Sequence, residues 1–182
     1  MAHKHSFTLR SEDKRRKLPR KIIIGQEETE TVAHVALKLM GFLLFYRERL
    51  QIETNLHNDS IPFVPDLVEL DYEMRPRLWV ECGECGINKL DKLAVKVPTA
   101  EIWVVKRSFA ALDDLLRAME RGELRRDRYN LLGLDASMFT EMCSLMAGRN
   151  ELTWVAGHFD PPEMQFDFNG LWFDAPFRVA RF

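Results

Sequence analysis

Two acidic residues, Asp66 and Glu81, have a spacing that could bring them together inside a predicted hairpin. The apolar runs DLVELDY and RLWVEC flank a short Pro-containing turn, which is typical of an antiparallel hairpin. With Asp66 placed opposite Gly83, alternation along the strands puts Asp66 and Glu81 on the same, otherwise apolar, face. A buried carboxylate is costly without a cation, a hydrogen-bond network or a metal. The pattern therefore predicts a common partner for the two acids.

A divalent metal ion is one such partner. In this register Asp66 and Glu81 are diagonal neighbours, about 7–8 Å apart at the backbone, so their side chains can converge on one ion. Mg²⁺ or Mn²⁺ suits carboxylate oxygens, and such an ion activates water and stabilises charge on a phosphodiester. A structural interpretation stays open: Asp66 caps a turn or strand end, while Glu81 pairs with Lys89 or Lys92. A one-residue slip of register would also move one acid to the other face.

The elements that position this hairpin alternate between strands and helices. Strands are predicted at 5–10 and 19–25, and the apolar spacing that follows predicts a long helix over 29–49. The other predicted elements are a short helix in KLDKLAVKV, a strand at 100–106, helices at 109–121 and 136–147 joined by an irregular segment, and a C-terminal hairpin around Asn169-Gly170. This order predicts an α+β (mixed α/β) fold with a mixed central sheet flanked by helices.

Length and composition indicate one globular domain over residues 1–182. Hydrophobic residues make up 46% of the chain and include 12 Phe and 4 Trp, which excludes a disordered protein. Because 26 Lys and Arg face 28 Asp and Glu, for a net charge of -2, a globally basic nucleic-acid binder is excluded, although local patches are not. No signal peptide or membrane-spanning run is predicted, and the odd count of three Cys predicts a reduced, cytoplasmic protein with free thiols.

Pro65-Asp66, Glu81 at the end of the next strand, and the lysines that follow resemble the PD-(D/E)XK nuclease pattern. The whole chain is more specifically similar to the YaeQ family of small bacterial proteins. The matching stretches are Glu30-Thr31, RERLQ, Pro65-Asp66, LWVECG, the Lys89/Lys92 helix, IWVV, LTWV and NGLWF. The resemblance implies a restriction-endonuclease-like core over about 26–107, with an N-terminal hairpin at 5–25 and further helices and a hairpin at 108–182. It further implies that Asp66 and Glu81 bind a metal and that Glu30 is the acid of the first core helix.

The chain departs from the nuclease pattern at one position. The pattern has a lysine two residues after Glu81, where this sequence has Gly83. Lysine would stabilise a developing phosphate charge, so its loss bears directly on activity. Lys89 and Lys92, at the start of the next helix, can reach back towards the acids because side chains lean towards a helix N-terminus.

Basic residues near the N-terminus form a candidate nucleic-acid contact. Its six residues, in the turn between the first two predicted strands and at the start of the second, are Lys14, Arg15, Arg16, Lys17, Arg20 and Lys21. A charged turn is usually only a solvated turn, and this interpretation is favoured over binding. Zinc is not expected, since Cys82 and Cys85 have knuckle spacing but no second ligand pair follows.

These observations lead to two hypotheses. In the first, the protein is a metal-dependent nuclease or phosphodiesterase of DNA or RNA, in which Asp66 and Glu81 hold Mg²⁺ or Mn²⁺, Glu30 assists, and Lys89 or Lys92 steadies the phosphate. In the second, it is a non-catalytic member of the same fold that binds nucleic acid or a protein, as Gly83 in the lysine position favours.

Overall fold

Residues 3–182 are described by the computed structural model, in which ten strands and four helices follow one another in a mixed order. The strands are β1 (His3–Ser11), β2 (Lys21–Gln26), β3 (Leu50–Ile52), β4 (Leu67–Leu70), β5 (Pro76–Cys82), β6 (Glu101–Lys106), β7 (Tyr129–Leu134), β8 (Arg149–Phe159), β9 (Pro162–Phe168) and β10 (Leu171–Arg181). The helices are α1 (Val32–Leu44), α2 (Ile87–Lys96), α3 (Phe109–Arg121) and α4 (Ala136–Ser144). The predicted mixed α+β class is confirmed. No helix in this part of the chain is long and apolar enough to cross a membrane.

All ten strands join one sheet, in the order β2-β1-β8-β9-β10-β7-β6-β5-β4-β3. The pairs β1·β8, β5·β6 and β6·β7 are parallel, and the others are antiparallel. Helix α1 contacts β2 at one edge of the sheet and β3 at the other. The sheet is therefore strongly curved, with α1 lying inside the curve.

Two apolar clusters hold the helices to the sheet. The larger packs α1 and α4 against the inner face and draws residues from the first strand, Phe7, to the last, Phe177. The smaller packs α2 and α3 against the other face of β4 to β7, around the fully buried Trp79. The strands between α1 and α2 therefore carry apolar residues on both faces, which explains why LVEL and LWVEC are nearly continuous buried runs.

Helix α1 is shorter than the predicted 29–49. It begins after Thr31, whose side chain accepts a hydrogen bond from the His34 N–H, and ends at Phe45. Ten of its 13 residues are buried because the sheet surrounds it. The predicted last turn is wrong: residues 46–49 leave the helix axis so that β3 can pair with β4 at the sheet edge.

Strand β7 was not predicted. It lies in the segment that was expected to be irregular, between the two helices. It pairs in parallel with β6 and antiparallel with β10, so it is buried between neighbours that come from distant parts of the chain. By contrast, the C-terminal hairpin is confirmed: Asn169 and Gly170 turn between β9 and β10 with φ angles of 51° and 86°.

Candidate functional site

The hairpin of β4 and β5 sets Asp66 and Glu81 at directly opposed positions. Leu67 pairs with Val80 and Val68 with Trp79, so the same register sets Asp66 opposite Glu81. The expected pairing of Asp66 with Gly83 is wrong by two positions. The turn is tighter than expected, with Asp71 hydrogen-bonded to Arg75, and the bulge at Glu69/Leu70 compensates for only one position of the resulting shift. A shift of two preserves the alternation of faces. Directly opposed residues have Cβ atoms about 4.5–5.5 Å apart, closer than the expected diagonal pair.

Asp66 lies one residue before β4, at the end of the sheet. Its Oδ2 accepts a hydrogen bond from the backbone N–H of Cys82 at 2.7 Å, which caps the end of β5. Its Oδ1 is 3.3 Å from Nε2 of His34, on the first turn of α1. Asp66 therefore links the hairpin to α1, and it caps a strand end as the structural interpretation expected.

Glu81 is held from the side of α2. Its Oε1 accepts from the indole N–H of Trp79 at 2.8 Å, and its Oε2 accepts from the Lys89 ammonium at 2.7 Å. Burial raises the pKa of Glu81, Lys89 opposes that rise, and the nearby charge of Asp66 adds to it. Lys89 thus pairs with Glu81, as the structural interpretation expected, and its side chain is 30% exposed.

His34 bridges two carboxylates. Its Nδ1 lies 2.8 Å from Glu30 and its Nε2 lies 3.3 Å from Asp66. Ionised carboxylates only accept hydrogen bonds, so both ring nitrogens must carry protons for both contacts to form. The hydrogen bond with Asp66 raises the pKa of His34. His34 was not among the predicted catalytic or metal-binding residues, although it follows Glu30 by four positions, about one helical turn.

Lys38 has no exposed side-chain surface, and its single charge is shared by two acids. Its ammonium donates to Glu30 at 2.9 Å and to Glu53. Burial lowers the pKa of Lys38, but the hydrogen bonds to Glu53 and Glu30 outweigh that effect, so its pKa is raised. The hydrogen bond from Lys38 also overcomes burial at Glu30, whose pKa is lowered.

These contacts form an ionic row at one end of the sheet, at the N-terminal ends of α1 and α2. Its two parts, Glu53, Lys38, Glu30, His34 and Asp66 on the side of α1 and Glu81 with Lys89 on the side of α2, meet where Asp66 lies opposite Glu81 without a hydrogen bond between them, and we call the whole the carboxylate row. The structure brings together four of the predicted catalytic residues, Glu30, Asp66, Glu81 and Lys89. Glu30 stands just before the N-cap of α1, not within the helix as predicted. Lys92 is exposed, and among residues 3–182 no hydrogen bond or ion pair joins it to the row.

The predicted basic cluster lies at the other end of α1. Arg16 donates to the carbonyl of Leu43, in the last turn of α1, and its guanidinium stacks 5.0 Å over the Trp154 ring. Burial lowers the pKa of Arg16. Thirteen helical residues span about 20 Å, so this cluster is not continuous with the carboxylate row. Arg16 is a packing residue, whereas the other five residues, Lys14, Arg15, Lys17, Arg20 and Lys21, are exposed.

Gly83, in the position where the nuclease pattern has lysine, has φ +87°. Side chains other than glycine rarely adopt this conformation, so a lysine here would be strained. Lys106, on the adjacent parallel strand β6, donates to the Gly83 carbonyl at 2.8 Å. Lys106 was not singled out from the sequence, because only the pairing of β5 with β6 reveals its position.

The carboxylates fit a hard divalent cation by donor type. Asp66 and Glu81 offer oxygen ligands from directly opposed positions, and their present partners are hydrogen-bond donors that a cation would replace. No group of three or more His, Cys, Asp or Glu side chains in residues 3–182 is already arranged to hold a metal. Cys82 and Cys85 are free thiols, and burial raises the pKa of Cys85 to about 12.

Comparisons with known proteins agree with one another. The model of the YaeQ protein family matches residues 2–155. The YaeQ protein from Xanthomonas axonopodis pv. citri has the same fold, with a TM-score of 0.75 at 20% identity over 100% of this chain and 99% of that one. The YaeQ protein from Pseudomonas syringae gives a TM-score of 0.74 at 14% identity over 100% and 96%. No curated protein is significantly similar in sequence.

Proposed function

This chain belongs to the YaeQ family, and we propose that it is a divalent-metal-dependent phosphodiesterase, of the nuclease type, that acts on nucleic acid. The observation that carries this proposal is the direct opposition of Asp66 and Glu81 at the end of a buried hairpin. Two carboxylates in this arrangement repel each other: burial is the main cause of the raised pKa of Glu81, and the charge of Asp66 adds to it. A shared divalent cation would relieve that repulsion.

The order of elements around the pair also supports the proposal. Helix α1, strands β3, β4 and β5, helix α2 and strand β6 follow one another, with β5 and β6 parallel. This is the arrangement expected of a restriction-endonuclease-like core, and it places Asp66 before one strand and Glu81 in the next. We infer that residues 26–107 form such a core, extended on both sides by the strands of the N-terminal and C-terminal segments.

The residues of the site have distinct roles in this mechanism. Bound between Asp66 and Glu81, Mg²⁺ or Mn²⁺ would supply Lewis acidity and an activated water. Lys89 would leave Glu81 and steady the phosphate, since its side chain is 30% exposed and its ammonium already lies 2.7 Å from Glu81. Glu30 and His34 hold Asp66 in place and keep a proton at the site.

Calorimetric titration of the metal-stripped protein with Mg²⁺ and Mn²⁺ tests the proposal. We expect binding by the wild type, and loss of most binding in Asp66→Asn and Glu81→Gln. Asp91→Asn, an exposed acid on α2, is the matched control and should bind as the wild type does. The same samples, incubated with single- and double-stranded DNA and RNA, should show cleavage only where metal binds. Absence of metal binding by the wild type would refute the proposal.

A non-catalytic nucleic-acid- or protein-binding role is the second candidate. Gly83 favours it, because the strand position normally occupied by lysine has no side chain. Metal binding that depends on Asp66 and Glu81, without cleavage of any of the four substrates, would select this second role.

A further inference from the structure

A cavity of about 250 Å³ opens beside the carboxylate row, between the N-terminal end of α1 and the ends of β5 and β6. Its lining includes Glu30, His34, Cys82 and Gly83, so it shares a wall with Asp66, which contacts His34 and Cys82. Pockets for drug-sized ligands have volumes of about 300–1,000 Å³, so this cavity suits a smaller group.

Three cationic side chains converge on the cavity. Arg107 is exposed, and no hydrogen bond or ion pair joins its guanidinium to the rest of residues 3–182. Lys106 is almost fully buried, with 6% of its side chain exposed, and its contacts with Gly83 and Glu84 do not neutralise it completely. The third is His34, which carries a proton on each ring nitrogen when it bridges Glu30 and Asp66.

Two acids also line the cavity, and neither cancels these charges. Glu30 accepts from His34 and from Lys38, which it shares with Glu53, so three cations of the lining stand against two acids. Glu84 is 96% exposed and lies 3.5 Å from Lys106, a long contact that leaves the carboxylate free to turn into solvent. The lining therefore carries one more positive than negative charge when His34 is protonated.

Neutral donors complete the lining. The Thr31 hydroxyl accepts from the His34 N–H, which leaves its own proton available, and the Thr29 hydroxyl lines the same side. Both precede the first turn of α1, where the helix dipole favours an anion. Arginine and lysine together bind phosphate through charge-assisted hydrogen bonds that exceed neutral ones in strength.

We propose that this cavity binds a phosphate group, with Arg107 and Lys106 as its principal ligands. The inference deepens the proposed function, since it places a phosphate of the substrate beside Asp66 and Glu81. The phosphate has two possible sources, free inorganic phosphate or the phosphorylated end of a nucleic-acid strand. Both present the same oxyanion to the same cations.

The test measures phosphate binding without metal. The full-length protein in EDTA is titrated calorimetrically with three probes: inorganic phosphate, a 5′-phosphorylated tetranucleotide, and the same tetranucleotide without its 5′-terminal phosphate. We expect the wild type to bind inorganic phosphate and the 5′-phosphorylated tetranucleotide, and Arg107→Gln to bind both roughly tenfold more weakly. Arg125→Gln, an exposed arginine beyond the far end of α3, is the matched control and should bind as the wild type does.

The outcomes separate this inference from the proposed function. Tighter binding of the phosphorylated tetranucleotide than of inorganic phosphate would identify the strand end as the source, and equal binding would identify free phosphate. The cavity is not a phosphate site if the wild type binds neither inorganic phosphate nor the 5′-phosphorylated tetranucleotide. The same follows if Arg107→Gln binds these two probes as tightly as Arg125→Gln does. Phosphate binding by a wild-type protein that does not bind Mg²⁺ or Mn²⁺ would uphold the cavity while removing the phosphodiesterase, and metal binding without phosphate binding would do the reverse.

Discussion

Lys38 shows how the carboxylate row is stabilised at the level of single residues. Its side chain is fully buried in α1, an environment that normally excludes an ammonium group. Because Glu30 and Glu53 approach it from segments that flank α1 on either side, one lysine ties the start of the helix to the end of β3. A buried charge held in this way is strongly dependent on its partners.

Replacement of Lys38 by Met should lower the free energy of unfolding by about 3–5 kcal/mol, since it leaves two carboxylates without their cation. Urea denaturation followed by far-UV circular dichroism measures the change. Lys92→Met, at an exposed position of α2, is the control and should change stability by no more than about 0.5 kcal/mol. Equal stability of the two variants would show that the row does not stabilise the fold.

At the level of elements, the hairpins depend on local turn chemistry. The β9–β10 turn has Asn169 and Gly170 at positive φ, as two-residue turns require. The β4–β5 turn is stabilised differently. Met74 has φ 61°, and the Asp71 carboxylate accepts hydrogen bonds from the backbone N–H groups of Glu73 and Arg75. That side-chain capping shortens the connection and sets Asp66 opposite Glu81.

Gly170→Ala should therefore lower the free energy of unfolding by about 1 kcal/mol, because alanine at φ 86° is strained. Gly148→Ala provides the comparison: its φ lies outside the left-handed region and no atom lies within 4 Å of the added methyl group. Thermal denaturation of both variants measures the difference. A loss of stability in Gly148→Ala as large as in Gly170→Ala would contradict the role assigned to the turn.

For the whole molecule, the decisive contact is the parallel pairing of β1 with β8, which joins Ser6 to Arg149. This pairing connects the N-terminal hairpin to the C-terminal strands and closes the inner face over α1. Phe7 and Phe166 belong to the same cluster as Leu39 of α1, so both extensions bury the helix that carries the candidate site. Residues 26–107 therefore pack against both the N-terminal and the C-terminal segments of the chain.

We therefore expect residues 26–107 alone to remain unfolded, because α1 would lose the strands that cover it and β6 would lose its neighbour β7. A narrow dispersion of amide signals in the NMR spectrum of that fragment would agree with this expectation. The full chain should unfold in one transition, with coincident midpoints by tryptophan fluorescence and circular dichroism. A folded fragment, or two separate midpoints, would show that the extensions are independent.

Local patterns in the sequence determined which segments are helices, where the last hairpin turns, and which two acids are candidates for the site. Apolar spacing predicted α1, the Asn169-Gly170 pair predicted the last hairpin, and the Asp66 and Glu81 positions predicted an acidic pair within the sheet, because each of these signals lies within a few neighbouring residues. The tertiary structure alone decided the strand β7 and most of the cations that hold the acids, whereas the register of β4 against β5 follows from the local turn at Asp71. His34, Lys38 and Lys106 reach the site only through the wrapping of the sheet around α1 and the parallel pairing of β5 with β6. Such contacts join residues far apart in the chain, and no local propensity encodes which distant strands will meet.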